Sequence, residues 1–203
     1  MTRIALIAFD GFTDLDLFLH WDLLNRPRLV LGEDRPRSWS VRLLGTAAHH
    51  VSVAGLGVAM HGSIDEAREA DVVLVSGGGA SARRLSADPD YIARLGLAPE
   101  RQILASQCSG ALILAAAGAL EGLSATTYPS AAGRLAEMGV QVVARPFVGH
   151  DRPPRHVATA AGCLAGVDLD RWILNHLIGP RDAELCLDSA APIGAGLAAV
   201  SVA

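Results

Sequence analysis

Lysine does not occur anywhere in this chain of 203 residues, and all 17 basic residues are arginine. Schiff-base chemistry and the phosphate loop of nucleoside triphosphatases both require a lysine side chain. Both kinds of site are therefore excluded. Any anionic group that the protein binds has to be met by arginine.

Cysteine is also scarce. Cys108, Cys163 and Cys186 are an odd number, widely spaced and without a CxxC pair. This pattern argues against a disulfide framework and against a zinc site. The histidines of residues 49–61 show no spacing with carboxylates or cysteines that suggests a metal either. We expect a reducing compartment, no bound metal and no organic cofactor.

An excess of basic residues is missing as well, since 17 basic and 21 acidic residues give a net charge of −4. Nucleic acid and anionic membrane surfaces are therefore unexpected partners. No apolar run approaches the roughly 18 residues of a membrane helix. The run 4–9 is too short for a signal peptide and ends at Asp10-Gly11. We expect a cytoplasmic protein whose partner is a small molecule.

Apolar residues make up 51% of the chain, which is enough for one sizeable core. Apolar runs at 4–9, 70–75 and 102–105 read as buried strands, and helical patterns follow them. This order predicts an α/β protein with a parallel sheet, whose ligands bind at the carboxyl ends of the strands. We predict a single domain over residues 1–203.

Proline-containing segments are predicted to be irregular. Arg26-Pro27 begins a loop that extends to Arg37, and residues 145–155 form an excursion or a hairpin. The small, apolar tail from Pro192 is predicted to be poorly ordered.

Ser106-Gln107-Cys108-Ser109-Gly110 is the most informative stretch, because it lies between a strand and a helix. A cysteine at such a turn points its sulfur out from a helix N-terminus, where free N–H groups favour the thiolate. Cys108 is therefore a candidate nucleophile. Cys163 and Cys186 lack this context and are predicted to be core residues.

Three glycines, Gly77 to Gly79, follow the strand 70–75 and place backbone N–H groups where a ligand can approach. Arg83-Arg84 follows them. Such a pair is usually solvated, and contact with an anionic substrate group is the alternative.

Several segments together resemble the ThiJ/PfpI family of the class I glutamine amidotransferase-like superfamily. The resemblance extends from Ile4 to about Pro192. It implies a flavodoxin-like parallel sheet sandwiched by helices, a nucleophile elbow and a homodimer. The matching segments are Leu15-Asp16-Leu17, Val75-Ser76-Gly77-Gly78, Ser106-Gln107-Cys108-Ser109-Gly110-Ala111, Ala116-Ala117-Gly118-Ala119-Leu120-Glu121-Gly122, Ala125-Thr126-Thr127-Tyr128-Pro129 and Ala165-Gly166-Val167-Asp168.

The resemblance implies a role for each site residue. Cys108 matches the nucleophile, Asp16 the acidic residue beside it, and Gly78 and Ser109 the oxyanion-hole donors. Burial and like charge are expected to raise the pKa of Asp16, so that it acts first as acid and then as base. Asp14 is the rival acid. The predicted substrate-binding residues are Gly77, Thr127, Tyr128 and His20.

Aspartate in a Leu-Asp-Leu context is similar to isonitrile hydratases, whereas the peptidase and deglycase branch has glutamate. Two departures stand out. Residues 18–21 are larger than is usual there, so the pocket wall is expected to differ. Tyr128 replaces a histidine and cannot act as a base near neutral pH.

The predicted function is therefore that of a cysteine-dependent enzyme that adds water to an isonitrile to give an N-substituted formamide. Two alternatives stay open. One is a glyoxalase, deglycase or peptidase of the same family. The other is a non-catalytic ligand-sensing or redox-sensing module.

Overall fold

A computed structural model of the chain describes residues 1–32 and 38–192. Its main sheet has seven strands in the order β10-β11-β7-β6-β1-β2-β5. All neighbouring pairs are parallel except the antiparallel pair of β10 and β11. The strands are β1 Thr2–Ile7, β2 Trp39–Gly45, β5 Gly62–Ser63, β6 Val72–Val75, β7 Ile103–Gln107, β10 Phe147–Arg152 and β11 Arg155–Ala160.

Two small two-stranded sheets flank this main sheet. β3 (His49–Val51) and β4 (Gly57–Ala59) form an antiparallel hairpin. β8 (Ser124–Ala125) pairs in parallel with β9 (Gln141–Val142). β10 and β11 form an antiparallel hairpin, which is one of the two forms expected for residues 145–155.

Helices cover the sheet in two groups. The first and the last two helices pack against one another, and α4 packs on β6 and β7 with α2 and α5 beside it. The predicted α/β fold, a mostly parallel sheet flanked by helices, is confirmed. The helices are α1 Asp14–Val30, α2 Gly79–Leu85, α3 Pro89–Leu95, α4 Ala111–Ala116, α5 Ala132–Glu137, α6 Gly166–Ile178 and α7 Pro180–Asp188.

The centre of the sheet is apolar on both sides, as the short apolar runs predict. Residues 4–7 of β1, 72–75 of β6 and 104–107 of β7 are almost fully buried. Their carboxyl ends are level, because Ile7 pairs with Val75 and Val75 pairs with Ser106. The loops that leave these three strands therefore meet at one edge of the sheet.

The loop predicted from Arg26-Pro27 is wrong at its start, because α1 continues to Val30 with Pro27 inside it. Proline in a helix removes a backbone hydrogen bond and costs about 3 kcal/mol. Here Pro27 is buried in the packed helix layer, and the indole N–H of Trp39 donates to the carbonyl of Leu24 at 2.7 Å. Tertiary packing therefore overrides the local signal. The rest of that loop, residues 33–37, and the tail beyond Pro192 lie outside the described residues.

Gly110 allows the turn after β7 to lie directly against β6. A Cβ at this position would lie 2.4 Å from the carbonyl oxygen of Val75 and 2.8 Å from that of Ser76. Backbone atoms of a central strand cannot move aside cheaply. We therefore expect Gly110→Ala to lower the free energy of unfolding by about 2–3 kcal/mol, measured by urea denaturation.

Gly133→Ala is the matched control, because Gly133 lies in α5 with no atom within 4 Å of its added Cβ. Alanine there is expected to stabilise the protein by about 0.5–1 kcal/mol. Equal effects of the two substitutions would contradict the packing argument.

Within residues 1–32 and 38–192, no helix has both the length and the apolar character needed to span a membrane.

Candidate active site

Asp16, Gly77 and Cys108 meet at the edge formed by the carboxyl ends of β1, β6 and β7. Each follows a different strand, and Asp16 lies in the first turns of α1. A Cβ added to Gly77 would lie 2.2 Å from Oδ2 of Asp16 and 3.1 Å from Sγ of Cys108. The acid and the thiol therefore share the space that the missing side chain of Gly77 leaves open.

The backbone of Cys108 adopts a left-handed conformation with φ of 56°, the only non-glycine residue among those described to do so. Such a conformation is rare for a residue with a Cβ and often marks a functional turn. The hydroxyl of Thr127 donates to the carbonyl of Cys108 at 2.8 Å, which holds the turn in place. The predicted elbow thus has the expected strand–turn–helix form, from β7 through a short 3₁₀ turn into α4.

A cavity of about 340 Å³ opens in front of this cysteine. Cys108 itself is only 7% exposed, yet it contributes to the cavity wall. The wall also includes Ser109, Tyr128 and Cys163. Its size and its mixed lining suit a small organic ligand.

The thiol of Cys108 is harder to ionise than the sequence predicts. Burial and the charge of Asp16 raise its pKa to about 12, although the backbone N–H of Ser109 works in the opposite direction. The expectation that the helix N-terminus favours a free thiolate is therefore wrong for the resting site. Desolvation outweighs the turn's N–H groups, because the sulfur lies almost entirely out of water.

Asp16 is completely buried, and burial raises the pKa of its carboxyl group. Contacts with the thiols of Cys163 and Cys108 and the charge of His20 lower that pKa, but they do not cancel the effect of burial. Among the described residues no N–H or O–H group donates to either carboxylate oxygen. The raised pKa agrees with the prediction, with burial as its main cause.

The backbone N–H groups of Gly78 and Ser109 were the predicted oxyanion-hole donors, but the N–H of Gly78 is already bonded to the side chain of Ser109. The hydroxyl oxygen of Ser109 accepts hydrogen bonds from the backbone N–H groups of Gly78, at 3.0 Å, and Gly79, at 2.9 Å. With two donors already on this oxygen, the hydroxyl hydrogen of Ser109 is free to donate elsewhere. Ser109 lines the cavity, so its O–H is an additional hydrogen-bond donor for a ligand.

The four predicted substrate-binding residues fall in different places. Tyr128 lines the cavity and is 46% exposed, and Gly77 lies between the acid and the thiol. Thr127 lies behind the turn, bonded to the Cys108 carbonyl, and is not part of the cavity wall. His20 is also absent from that wall.

His20 instead forms a fully buried pair with Asp170 of α6, with 2.8 Å between Nδ1 and Oδ1. Burial raises the pKa of Asp170, and the charge and hydrogen bond of His20 work against that rise. His20 lies one helical turn after Asp16, and its charge lowers the pKa of that carboxyl group. The His20–Asp170 dyad is therefore a buried neighbour of Asp16 and not part of the cavity wall.

Sequence reasoning missed Cys163. It was predicted to be a core residue, but it is half-buried, lines the cavity and faces Asp16. Burial and Asp16 raise its pKa to about 11. A signal was available, because Cys163 follows β11, the strand next to β7, at the edge where ligands bind. Cys186 is fully buried in the core, as predicted.

Two further expectations concerned the wall of the cavity. Residues 18–21 do not line the cavity. Phe18 packs on Phe12, and Trp21 stacks on His61. Arg83, by contrast, does line it, and its guanidinium donates to the carbonyl of Ser130 at 3.3 Å.

Comparison with known proteins identifies one family. The profile of the DJ-1/PfpI family matches residues 2–176. A ThiJ/PfpI family protein from Pseudomonas syringae superposes with a TM-score of 0.78 at 25% identity, covering 97% of this chain and 79% of that one. No curated protein sequence matches the chain.

Two other solved structures share the fold at lower identity. DJ-1 from Schizosaccharomyces pombe has a TM-score of 0.74 at 18% identity, over 94% of this chain and 100% of the other. An AraC family transcriptional regulator from Pseudomonas putida has a TM-score of 0.73 at 19% identity, again over 94% and 100%. At these identities the likeness concerns the fold alone.

Proposed function

Because the chain belongs to the DJ-1/PfpI family, we propose that it is a cysteine-dependent enzyme that hydrates an isonitrile to an N-substituted formamide. The observation that carries this proposal is the buried carboxyl of Asp16 beside the thiol of Cys108, with no N–H or O–H donor among the described residues to hold its charge. Such a carboxyl exchanges protons with its neighbour readily.

Asp16 and Cys108 act as a unit that holds one proton. The pKa of each group is raised, so removing both protons is unfavourable, because it would leave two negative charges side by side. Moving the proton from sulfur to carboxyl keeps the net charge of the pair constant. It also removes the carboxylate charge that disfavours the thiolate, so the nucleophile forms at the moment of attack.

The first half of the proposed reaction forms a thioimidate. The sulfur of Cys108 bonds to the terminal carbon of the isonitrile, and protonated Asp16 delivers its proton to that same carbon. The product is R–N=CH–S–Cys108, in which the sulfur–hydrogen bond has been exchanged for sulfur–carbon and carbon–hydrogen bonds.

The second half hydrolyses this adduct. Asp16, now a carboxylate, takes a proton from water as the water oxygen bonds to the thioimidate carbon, and it then passes this proton to the nitrogen. The carbon–sulfur bond then breaks, the remaining proton of the added hydroxyl returns to the Asp16–Cys108 pair, and the formamide R–NH–CHO leaves. The O–H of Ser109 is positioned at the cavity wall to donate to the developing negative charge.

The alternative of a cysteine–histidine enzyme lacks support at this site. In residues 1–32 and 38–192, no hydrogen bond or ion pair joins a histidine to Cys108, and the pKa of its thiol carries no histidine contribution. Tyr128 occupies the wall where a base would be needed. This favours the hydratase over a peptidase or a deglycase.

Turnover of cyclohexyl isocyanide tests the proposal. We expect the reduced protein to release N-cyclohexylformamide, followed by chromatography, and the same protein alkylated with iodoacetamide to release none. Methylglyoxal is the comparison substrate, for which consumption at the level of a spontaneous reaction is expected. No formamide from protein with a free Cys108, or methylglyoxal consumption faster than isocyanide turnover, would overturn the assignment.

A further inference from the structure

A second cluster of polar side chains is formed by the β10–β11 hairpin and α6, and its residues are not among those that line the cavity. Asp151 of β10 and His156 of β11 are directly paired across their antiparallel hairpin, and His176 of α6 packs over them. One ligand atom from each of the three residues lies within 4.8 Å of the others. None of the three lines the Cys108 cavity.

One carboxylate oxygen is the centre of this cluster. Oδ1 of Asp151 lies 2.8 Å from Nε2 of His176 and 3.2 Å from Nδ1 of His156. The other oxygen, Oδ2, accepts a hydrogen bond from the indole N–H of Trp172 at 3.3 Å. Trp172 thereby holds the carboxylate so that its free oxygen faces both imidazoles.

A hydrogen bond to the backbone orients the ring of His176. Its Nδ1 lies 2.7 Å from the carbonyl oxygen of Trp172. A carbonyl only accepts, so Nδ1 carries a hydrogen, and Nε2 is the ring nitrogen that faces the carboxylate oxygen of Asp151. A backbone carbonyl that orients a histidine in this way is a common supporting contact of metal ligands.

From this geometry we propose that Asp151, His156 and His176 bind a divalent transition-metal cation of the zinc type. Two imidazole nitrogens and one carboxylate oxygen are the donors that Zn²⁺ prefers outside thiolate sites. In a tetrahedral site with bonds of about 2.1 Å, the ligand atoms lie about 3.4 Å apart. The carboxylate oxygen lies 2.8 and 3.2 Å from the two imidazole nitrogens, and all three atoms lie within 4.8 Å of one another. His156 and His176 are 28% and 23% exposed, which leaves room for water as the fourth ligand.

The bound cation ties the β10–β11 hairpin to α6. Since α6 also carries Asp170, the partner of His20, the metal stabilises the helix that supports this buried dyad. The sequence predicts no metal site, because the three ligands are separated by 5 and 20 or more residues and share no known ligand spacing. The fold alone brings them together.

Titration with Zn²⁺ tests the site. By isothermal titration calorimetry we expect one ion per chain, and His156→Ala, His176→Ala and Asp151→Asn each to weaken binding at least about tenfold. His49→Ala, a substitution of an exposed histidine outside the cluster, is the matched control and is expected to bind as the unmodified protein does. Zn²⁺ is also expected to raise the melting temperature of the unmodified protein and of the control, but not that of the cluster variants.

Binding at the cysteines is distinguished by replacing zinc with Co²⁺. Ligation by nitrogen and oxygen gives no thiolate-to-metal charge-transfer band, whereas such a band reports binding at Cys108 or Cys163. The proposal is overturned by a thiolate band, by unchanged affinity in the cluster variants, or by no Zn²⁺ binding at all, in which case a proton alone fills the gap. Asp151→Asn preserves side-chain shape, so it serves as the ligand test if a histidine variant does not fold.

Discussion

Replacing Cys108 by serine is expected to abolish isocyanide hydration, with a loss in kcat of at least about 10³-fold. Serine is almost the same size, so it occupies the turn without new contacts. Its hydroxyl ionises far less readily than a thiol and cannot form the thioimidate at a useful rate. Formamide release, measured for the folded variant, reports this directly.

Cys163→Ser is the informative comparison, because two thiols face the same carboxyl group. Burial and Asp16 raise the pKa of both thiols, to about 11 for Cys163 and about 12 for Cys108, so ease of ionisation does not identify the nucleophile. Geometry favours Cys108, which has the left-handed turn and the Ser109 N–H directed at its sulfur. We expect Cys163→Ser to retain turnover within a factor of about ten. The reverse ranking of the two variants would move the nucleophile to Cys163.

Replacing Asp16 by asparagine is expected to have two effects of opposite kind. The pKa of the Cys108 thiol falls, because one of the causes of its elevation is the negative charge of Asp16. Alkylation by iodoacetamide, which requires the thiolate, therefore moves to lower pH. At the same time isocyanide turnover falls by about 10²–10⁴-fold, because the amide neither delivers nor accepts the proton.

Asp14→Asn is the control for this experiment. Asp14 lies in the same first turn of α1 but is only partly buried. Its loss weakens the favourable interaction with the helix N-terminus by about 0.3–1 kcal/mol and is expected to leave both the alkylation profile and turnover unchanged. A more reactive thiol that still turns over isocyanide in Asp16→Asn would mean that Asp16 tunes charge without transferring protons.

The Cys108→Ser and Asp16→Asn predictions separate the role of the nucleophile from that of the proton carrier. Cys108→Ser removes the bond-forming atom and leaves Asp16 buried beside a neutral hydroxyl. Asp16→Asn leaves the nucleophile and makes it easier to ionise, yet removes the proton carrier. Loss of turnover in both variants, together with a more reactive thiol in the second, is expected only if the pair acts as one proton-sharing unit.

Much of the fold can be predicted from short stretches of the sequence. Buried strands, the glycine turn after β6 and the strand–turn–helix at Cys108 depend on residues that are neighbours along the chain. Apolar runs and glycines at fixed places therefore predict them. The order of these elements then fixes the edge of the sheet where a ligand binds.

Contacts between residues that are far apart along the chain could not be predicted from the sequence. His20 and Asp170 are 150 residues apart and form a buried pair. The hydroxyl oxygen of Ser109 accepts a hydrogen bond from the backbone N–H of Gly78, 31 residues away. No local pattern encodes such distances. The same holds for Cys163, whose place beside Asp16 follows from the adjacency of β11 and β7.

The ionisation of Cys108 and Asp16 shows most directly what the sequence determines and what depends on the tertiary structure. The sequence by itself determined that a cysteine occupies a turn at a helix N-terminus and that an aspartate begins the first helix. Only the tertiary structure decided how far each group is withdrawn from water and which charges it faces. Desolvation is the sum of all surrounding atoms, so it raised the pKa of a thiol that the local turn alone would have lowered.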